Sequence, residues 1–175
     1  MTNLVPLLRT SVQTWECDDM GHMNVQFYVA KAGEGLDVLA HEMGYGPRTR
    51  RTDNTVLLPR EHHIRFHREQ RPGAPLTLEG GVLGRDGDTL HLYEELTNTA
   101  SGAVAATVKA DVILADADTR APHALPSVFD EAVANMSTPL RSTARRADLS
   151  LVRPSLRPPF SRRMIWVSSI RGRAW

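Results

Sequence analysis

The chain has one cysteine, Cys17, so no internal disulfide framework holds it together. No run approaches the roughly 20 consecutive apolar residues that a bilayer-spanning helix requires. The N-terminus, Met1-Thr2-Asn3-Leu4-Val5-Pro6, has no charged segment leading into an apolar stretch, so the expected location is cytoplasmic. There is no phosphate-binding glycine motif, because Gly81-Val82-Leu83-Gly84 lacks a helix after it, and no Gly-x-Ser-x-Gly elbow or zinc signature occurs. These absences remove the commonest nucleotide-binding, serine-nucleophile and structural-zinc readings.

The near-zero net charge hides an uneven distribution along the chain. Residues 141–175 hold nine arginines against the single acid Asp148, a balance of +8 that leaves residues 1–140 at −7 within a total of +1. The acidic part gives no support to nucleic-acid binding. The tail, interrupted by Pro154, Pro158 and Pro159, shows neither helical period nor strand alternation and reads as poorly ordered or partner-dependent. With 41% hydrophobic residues, the remainder is long enough to bury one substantial core.

What is present is concentrated in Glu16-Cys17-Asp18-Asp19-Met20-Gly21-His22-Met23-Asn24-Val25-Gln26-Phe27-Tyr28. Before it, Ser11 to Glu16 alternates polar with apolar or aromatic residues and predicts a half-buried strand. After it, Tyr28, Ala32, Leu36, Leu39, Ala40 and Met43 recur at helical spacing, while Phe27, Lys31, Glu34, Asp37 and His41 mark another side. Gly21 permits a sharp turn, and Asn24 is placed to cap the helix through its side-chain oxygen. Free amides and the positive end of the helix dipole are then expected to face Asp18 and His22, where an acyl oxygen gaining charge would be stabilised.

Further along, Glu61–Glu69, Leu76–Leu83, Thr89–Thr97 and Val104–Leu114 read as strands separated by short turns. Connections this short imply antiparallel pairing, since parallel neighbours need crossovers of a dozen or more residues. The pattern predicts an α+β domain with one long helix wrapped by a five- to six-stranded antiparallel sheet.

Asp18-Asp19-Met20-Gly21-His22-Met23-Asn24 resembles the hotdog-fold acyl-CoA thioesterases, in particular the branch related to 4-hydroxybenzoyl-CoA thioesterase, with its Asp-x-x-Gly-His-x-Asn ahead of the central helix. The likeness extends through His63-Ile64-Arg65-Phe66-His67-Arg68-Glu69 with Pro72-Gly73, through Leu92 to Asn98 and Ala105 to Thr107, and into Thr119-Arg120 to Pro126, covering roughly residues 5–127. It implies a hotdog domain over 1–127, a linker or short helix over 128–140, and the Arg/Pro-rich tail over 141–175. It implies hydrolysis of an acyl-CoA thioester without metal or cofactor, at the interface of a homodimer or dimer of dimers, with Asp18, His22 and Asn24 as the catalytic group. Gly21, Tyr28, Glu34, His63 and Arg65 are its candidate substrate-side residues.

Each residue also has a plainer explanation. Aspartate favours turns, which accounts for Asp18 by itself, and capping accounts for Asn24. His22 suits an orienting role as well as proton transfer. Glu34, between Gly33 and Gly35, is the rival carboxylate or a solvent-facing acid; the flanking glycines suggest close approach of another backbone or a ligand. Cys17 sits among Glu16, Asp18 and Asp19, which oppose a thiolate, and reads as structural. His63 and His67 on a strand lie ~13 Å apart at about 3.3 Å per residue, too far to share a metal. A non-catalytic acyl-CoA-binding module and a hotdog enoyl-CoA hydratase are the alternatives, although Asp-x-Asn-Pro-x-His, the hydratase motif, is absent.

Overall fold

A computed structural model describes residues 4–137. The readings of residues 138–175, the tail included, lie outside the described residues. Six strands, β1 (Val5–Ser11), β2 (Thr55–Phe66), β3 (Pro75–Asp86), β4 (Thr89–Asn98), β5 (Ala103–Asp116) and β6 (Pro122–His123), form one antiparallel sheet in the order β1-β3-β4-β5-β2, with β6 on β5. The helices are α1 (Val25–Glu42), α2 (Pro47–Thr52) and α3 (Val128–Met136).

The helical spacing seen in the sequence is the contact surface of α1. Tyr28, Ala32, Leu36, Leu39 and Ala40 are buried, and Leu36 and Leu39 join Leu76, Leu78, Leu92, Leu96 and Val112 of the sheet in one core. Eighteen residues at 1.5 Å each make α1 about 27 Å long, enough to cross several strands. Its N-terminal end reaches β2, where Tyr28 meets Phe66 edge to face with ring centroids 5.0 Å apart. Further into the helix, Gly35 lies against β3 and β4: a Cβ there would come within 2.5 Å of Leu78 Cδ2 and 2.7 Å of Glu94 Oε1. Gly33, by contrast, faces open space. Of the two glycines, Gly35 is the one that a close approach requires.

The sequence pattern misplaces three features. The strand read over Ser11–Glu16 ends at Ser11, and Thr14–Glu16 is a single 3-10 turn. Its alternation has another origin: Trp15 is 71% exposed, while Glu16 turns inward because its carboxylate closes the turn, accepting the Gln13 amide at 2.9 Å. Lys31, read on the side of exposed Glu34, Asp37 and His41, is buried. β2 starts at Thr55, earlier than the expected Glu61, with Pro59 accommodated at an irregularity between Pro59 and Glu61. A strand at the sheet edge tolerates proline there because it needs hydrogen bonds on one side only.

α3 lies beyond residue 127 and packs into the same core, where Phe129 is fully buried and stacks obliquely on Tyr45 at 5.1 Å. Among the described residues no helix is long and apolar enough to cross a membrane.

Candidate active site

The loop Asp18–His22 is closed at its base by an isolated antiparallel bridge between Cys17 and Met23. Within it, the Gly21 amide donates to the Asp18 carbonyl at 2.9 Å and the Asp18 amide to the His22 carbonyl at 3.0 Å. Gly21 sits at φ +75°, a conformation that costs other L residues more. Asp18 Oδ1 accepts from the Met20 amide at 3.0 Å and the His22 amide at 3.3 Å. The carboxylate that was expected to face the helix amides is therefore held by amides of its own turn. Both of these bonds engage one oxygen, and the residue as a whole is exposed.

The loop delivers the chain to α1 through Asn24. Asn24 Oδ1 accepts from the Gln26 amide at 3.1 Å, the capping role expected of it, and its carbonyl accepts from Phe27 at 3.0 Å. The Asn24 amide itself donates to the Glu16 carbonyl at 2.9 Å, and the Met23 amide to the Gln70 carbonyl at 2.8 Å. Asp18, Gly21, His22 and Asn24 are thus assembled on one short segment at the positive end of an eighteen-residue helix.

Two residues after β2, which sequence reasoning did not place at the site, complete the surroundings. Glu69 Oε2 lies 3.1 Å from His22 Nε2, without the alignment of a hydrogen bond, so that this buried nitrogen has no hydrogen-bond partner among the described residues. Gln70 is buried and supplies the Met23 contact; its side chain is fixed by Arg68 and Asn98. Tyr28 sits beneath, its hydroxyl pushed up to about 12 by burial first and by the Glu69 charge second, so it is a neutral donor throughout the physiological range. No periodicity marks Glu69 or Gln70, because their place depends on where β2 ends relative to α1.

The charged pair under the loop was also invisible in the sequence. Lys31 Nζ lies 2.7 Å from Glu16 Oε1, with both side chains buried. The Cys17 thiol is raised, by burial first and then by Asp18 and Glu16, as expected of a structural thiol.

The remaining candidates lie elsewhere on the chain. Glu34 is exposed on α1. His63 and Arg65 alternate with Phe66, which touches α1, so they point to the opposite face of the sheet. His67, on that same face, lies 3.2 Å from Thr107 and is shifted down by burial and by Arg65.

An acidic turn between a 3-10 turn and a long helix packed on an antiparallel sheet has relatives among known proteins. The family model of the thioesterase-like superfamily matches residues 12–133, and the chain belongs to that superfamily. Its architecture is the α+β hotdog fold. Among individual proteins, it is 26% identical over 102 residues to the betainyl-CoA thioesterase of Pseudomonas aeruginosa; this stretch is 58% of the chain and 64% of the length of that relative. A Staphylococcus aureus protein solved in complex with CoA superposes with a TM-score of 0.70 at 20% identity, covering 81% of this chain and 90% of that one. The 1,4-dihydroxy-2-naphthoyl-CoA thioesterase of Synechocystis superposes at 0.63 with 13% identity, covering 75% and 97%.

Proposed function

We propose that the protein hydrolyses an acyl-CoA thioester to the free acid and CoA. The observation that carries this reading is the Asp18 carboxylate, exposed on a rigid turn that ends in the capped N-terminus of α1, in a chain of the thioesterase-like superfamily. Asp18 either attacks the thioester carbonyl or takes a proton from water that does; the acyl–sulfur bond breaks, the thiolate takes up a proton, and water supplies the hydroxyl of the acid. The helix N-terminus favours the negative charge that develops on the carbonyl oxygen. His22 and Asn24 hold the geometry, and Tyr28 lies beneath them as a neutral donor.

The site is completed by a second copy. Among the described residues β2 is a twelve-residue edge strand paired only with β5, and Trp15, Met20 and Val25, on or next to the loop in sequence, and Phe66, at the end of that strand, are exposed. An open edge and an apolar rim are features that proteins ordinarily cover. A partner at this edge would also decide what His63 and Arg65 meet.

The test is release of free thiol from a panel of acyl-CoAs that includes betainyl-, aromatic and straight-chain groups, with the oligomer mass measured alongside by light scattering. Turnover of at least one thioester by a dimer or tetramer is expected. Binding without thiol release would favour the non-catalytic module, and hydration of an enoyl-CoA with the thioester left intact would favour the hydratase.

A further inference from the structure

We infer that the buried Glu16–Lys31 pair is a positioning device that fixes the stem of the Asp18 loop, and with it the Asp18 carboxylate, relative to α1. The inference rests on the reading of Asp18 as the catalytic carboxylate and deepens it.

Glu16 touches three separate parts of the chain. Its Oε2 accepts the Gln13 amide at 2.9 Å, its Oε1 receives Lys31 Nζ at 2.7 Å, and its carbonyl accepts the Asn24 amide at 2.9 Å. One residue therefore joins the exit of β1, the helix cap and the second turn of α1. The Asp18 loop leaves this junction at Cys17 and returns to it at Asn24. The bonds inside the loop, from the Met20 and His22 amides to Asp18 Oδ1, fix the carboxylate relative to its own turn but not relative to the helix. That second relation is set at the stem, where the Glu16–Lys31 contact is the charged link to the body of α1.

Stability alone is a poor reason for such a pair. Moving two charges out of water cancels much of their attraction, and well-packed apolar side chains of similar volume often serve a core as well or better. What an ion pair adds is direction: carboxylate and ammonium meet in few arrangements, each hydrogen-bonded. A stem that must hold one carboxylate-bearing loop in a fixed relation to α1 has a use for that constraint.

The experiment compares the wild type with Glu16→Gln/Lys31→Met, which removes both charges together and so leaves neither one buried alone, and with Lys31→Arg, which keeps the charge but changes its shape. Each is measured for kcat, KM and Tm, and each is combined with Asp18→Asn. The charge-free pair variant should melt within a few degrees of the wild type, with kcat lowered at least about tenfold and KM changed less than about threefold, because ground-state binding does not use this geometry. Lys31→Arg, which leaves no uncompensated charge and so keeps the fold, should lose kcat by at least about threefold. In the Asp18→Asn background neither change should lower kcat further, since residues acting as a unit are not additive. A folded variant of either kind with native kcat overturns the inference, as does full additivity with Asp18→Asn. Native turnover in Asp18→Asn alone would instead remove the reading of Asp18, a separable outcome.

Discussion

Two places along the buried face of α1 treat a carboxyl group in opposite ways. At the N-terminal end, Glu16 is 4% exposed and receives an ammonium and a backbone amide. Midway along, Glu94 of β4 is equally buried, and no group among the described residues pairs with it. Burial alone pushes the Glu94 carboxyl up to about 8, so at neutral pH it is mainly the uncharged acid. It lies in the space left by two glycines: the Cβ position of Gly35 is 2.7 Å from Glu94 Oε1 and that of Gly80 is 3.3 Å from Glu94 Cγ. The difference shows that burial does not decide what a carboxyl does. With partners it becomes an organising charge next to an open, polar loop; without them it becomes a neutral side chain wedged between sheet and helix.

The largest effect that would sharpen this contrast belongs to the open end. Asp18→Asn keeps the Oδ1 acceptor for the Met20 and His22 amides and should leave Tm nearly unchanged, while lowering thioester hydrolysis at least about a hundredfold. Near-normal turnover there, with collapse in Glu34→Gln, would move the role to Glu34.

Glu94→Gln should do the reverse, altering stability and sparing turnover. The wild-type fold retains the Glu94 proton up to about 8, whereas the unfolded chain releases it near the ordinary 4.5, so the folded state binds more protons between these values and its stability falls as pH rises through that window. The variant has no such titration. Unfolding free energies from denaturant titration should be similar near pH 4.5 and should separate in favour of Glu94→Gln by a few kcal/mol at pH 8, because every tenfold difference in proton affinity between folded and unfolded chain is worth about 1.4 kcal/mol. Parallel pH profiles would show that Glu94 has a partner in solution.

A smaller effect tests the slot itself. Alanine normally stabilises a helix relative to glycine by about 1 kcal/mol. At Gly35 the added methyl would meet Leu78 and Glu94, so Gly35→Ala should cost about 1–3 kcal/mol in urea unfolding. A rise in stability would mean that the sheet yields easily at this point.

Much of this arrangement is written locally. The cap by Asn24, the turn at Gly21, the helical spacing from Tyr28 to Met43 and the four long strands depend on residues a few positions apart, where periodicity and turn chemistry act directly. The same logic misread Ser11–Glu16 and placed Lys31 on the wrong side of the helix, because in both cases one distant contact, Glu16 with Lys31, overrides the local pattern. A buried lysine looks like any polar helix residue until its partner is known.

By itself, then, the sequence determined the kind of domain, the position of the acidic turn ahead of the central helix, and the family that this motif announces. Tertiary structure alone decided which groups surround that turn and the slot behind it: Glu69 beside His22, Gln70 beneath Met23, Lys31 against Glu16, and Glu94 beneath Gly35 with no partner among the described residues. The reason is physical. A side chain's charge state and aim depend on what lies within about 4 Å, and those neighbours are chosen by how one helix crosses one sheet, not by spacing along the chain.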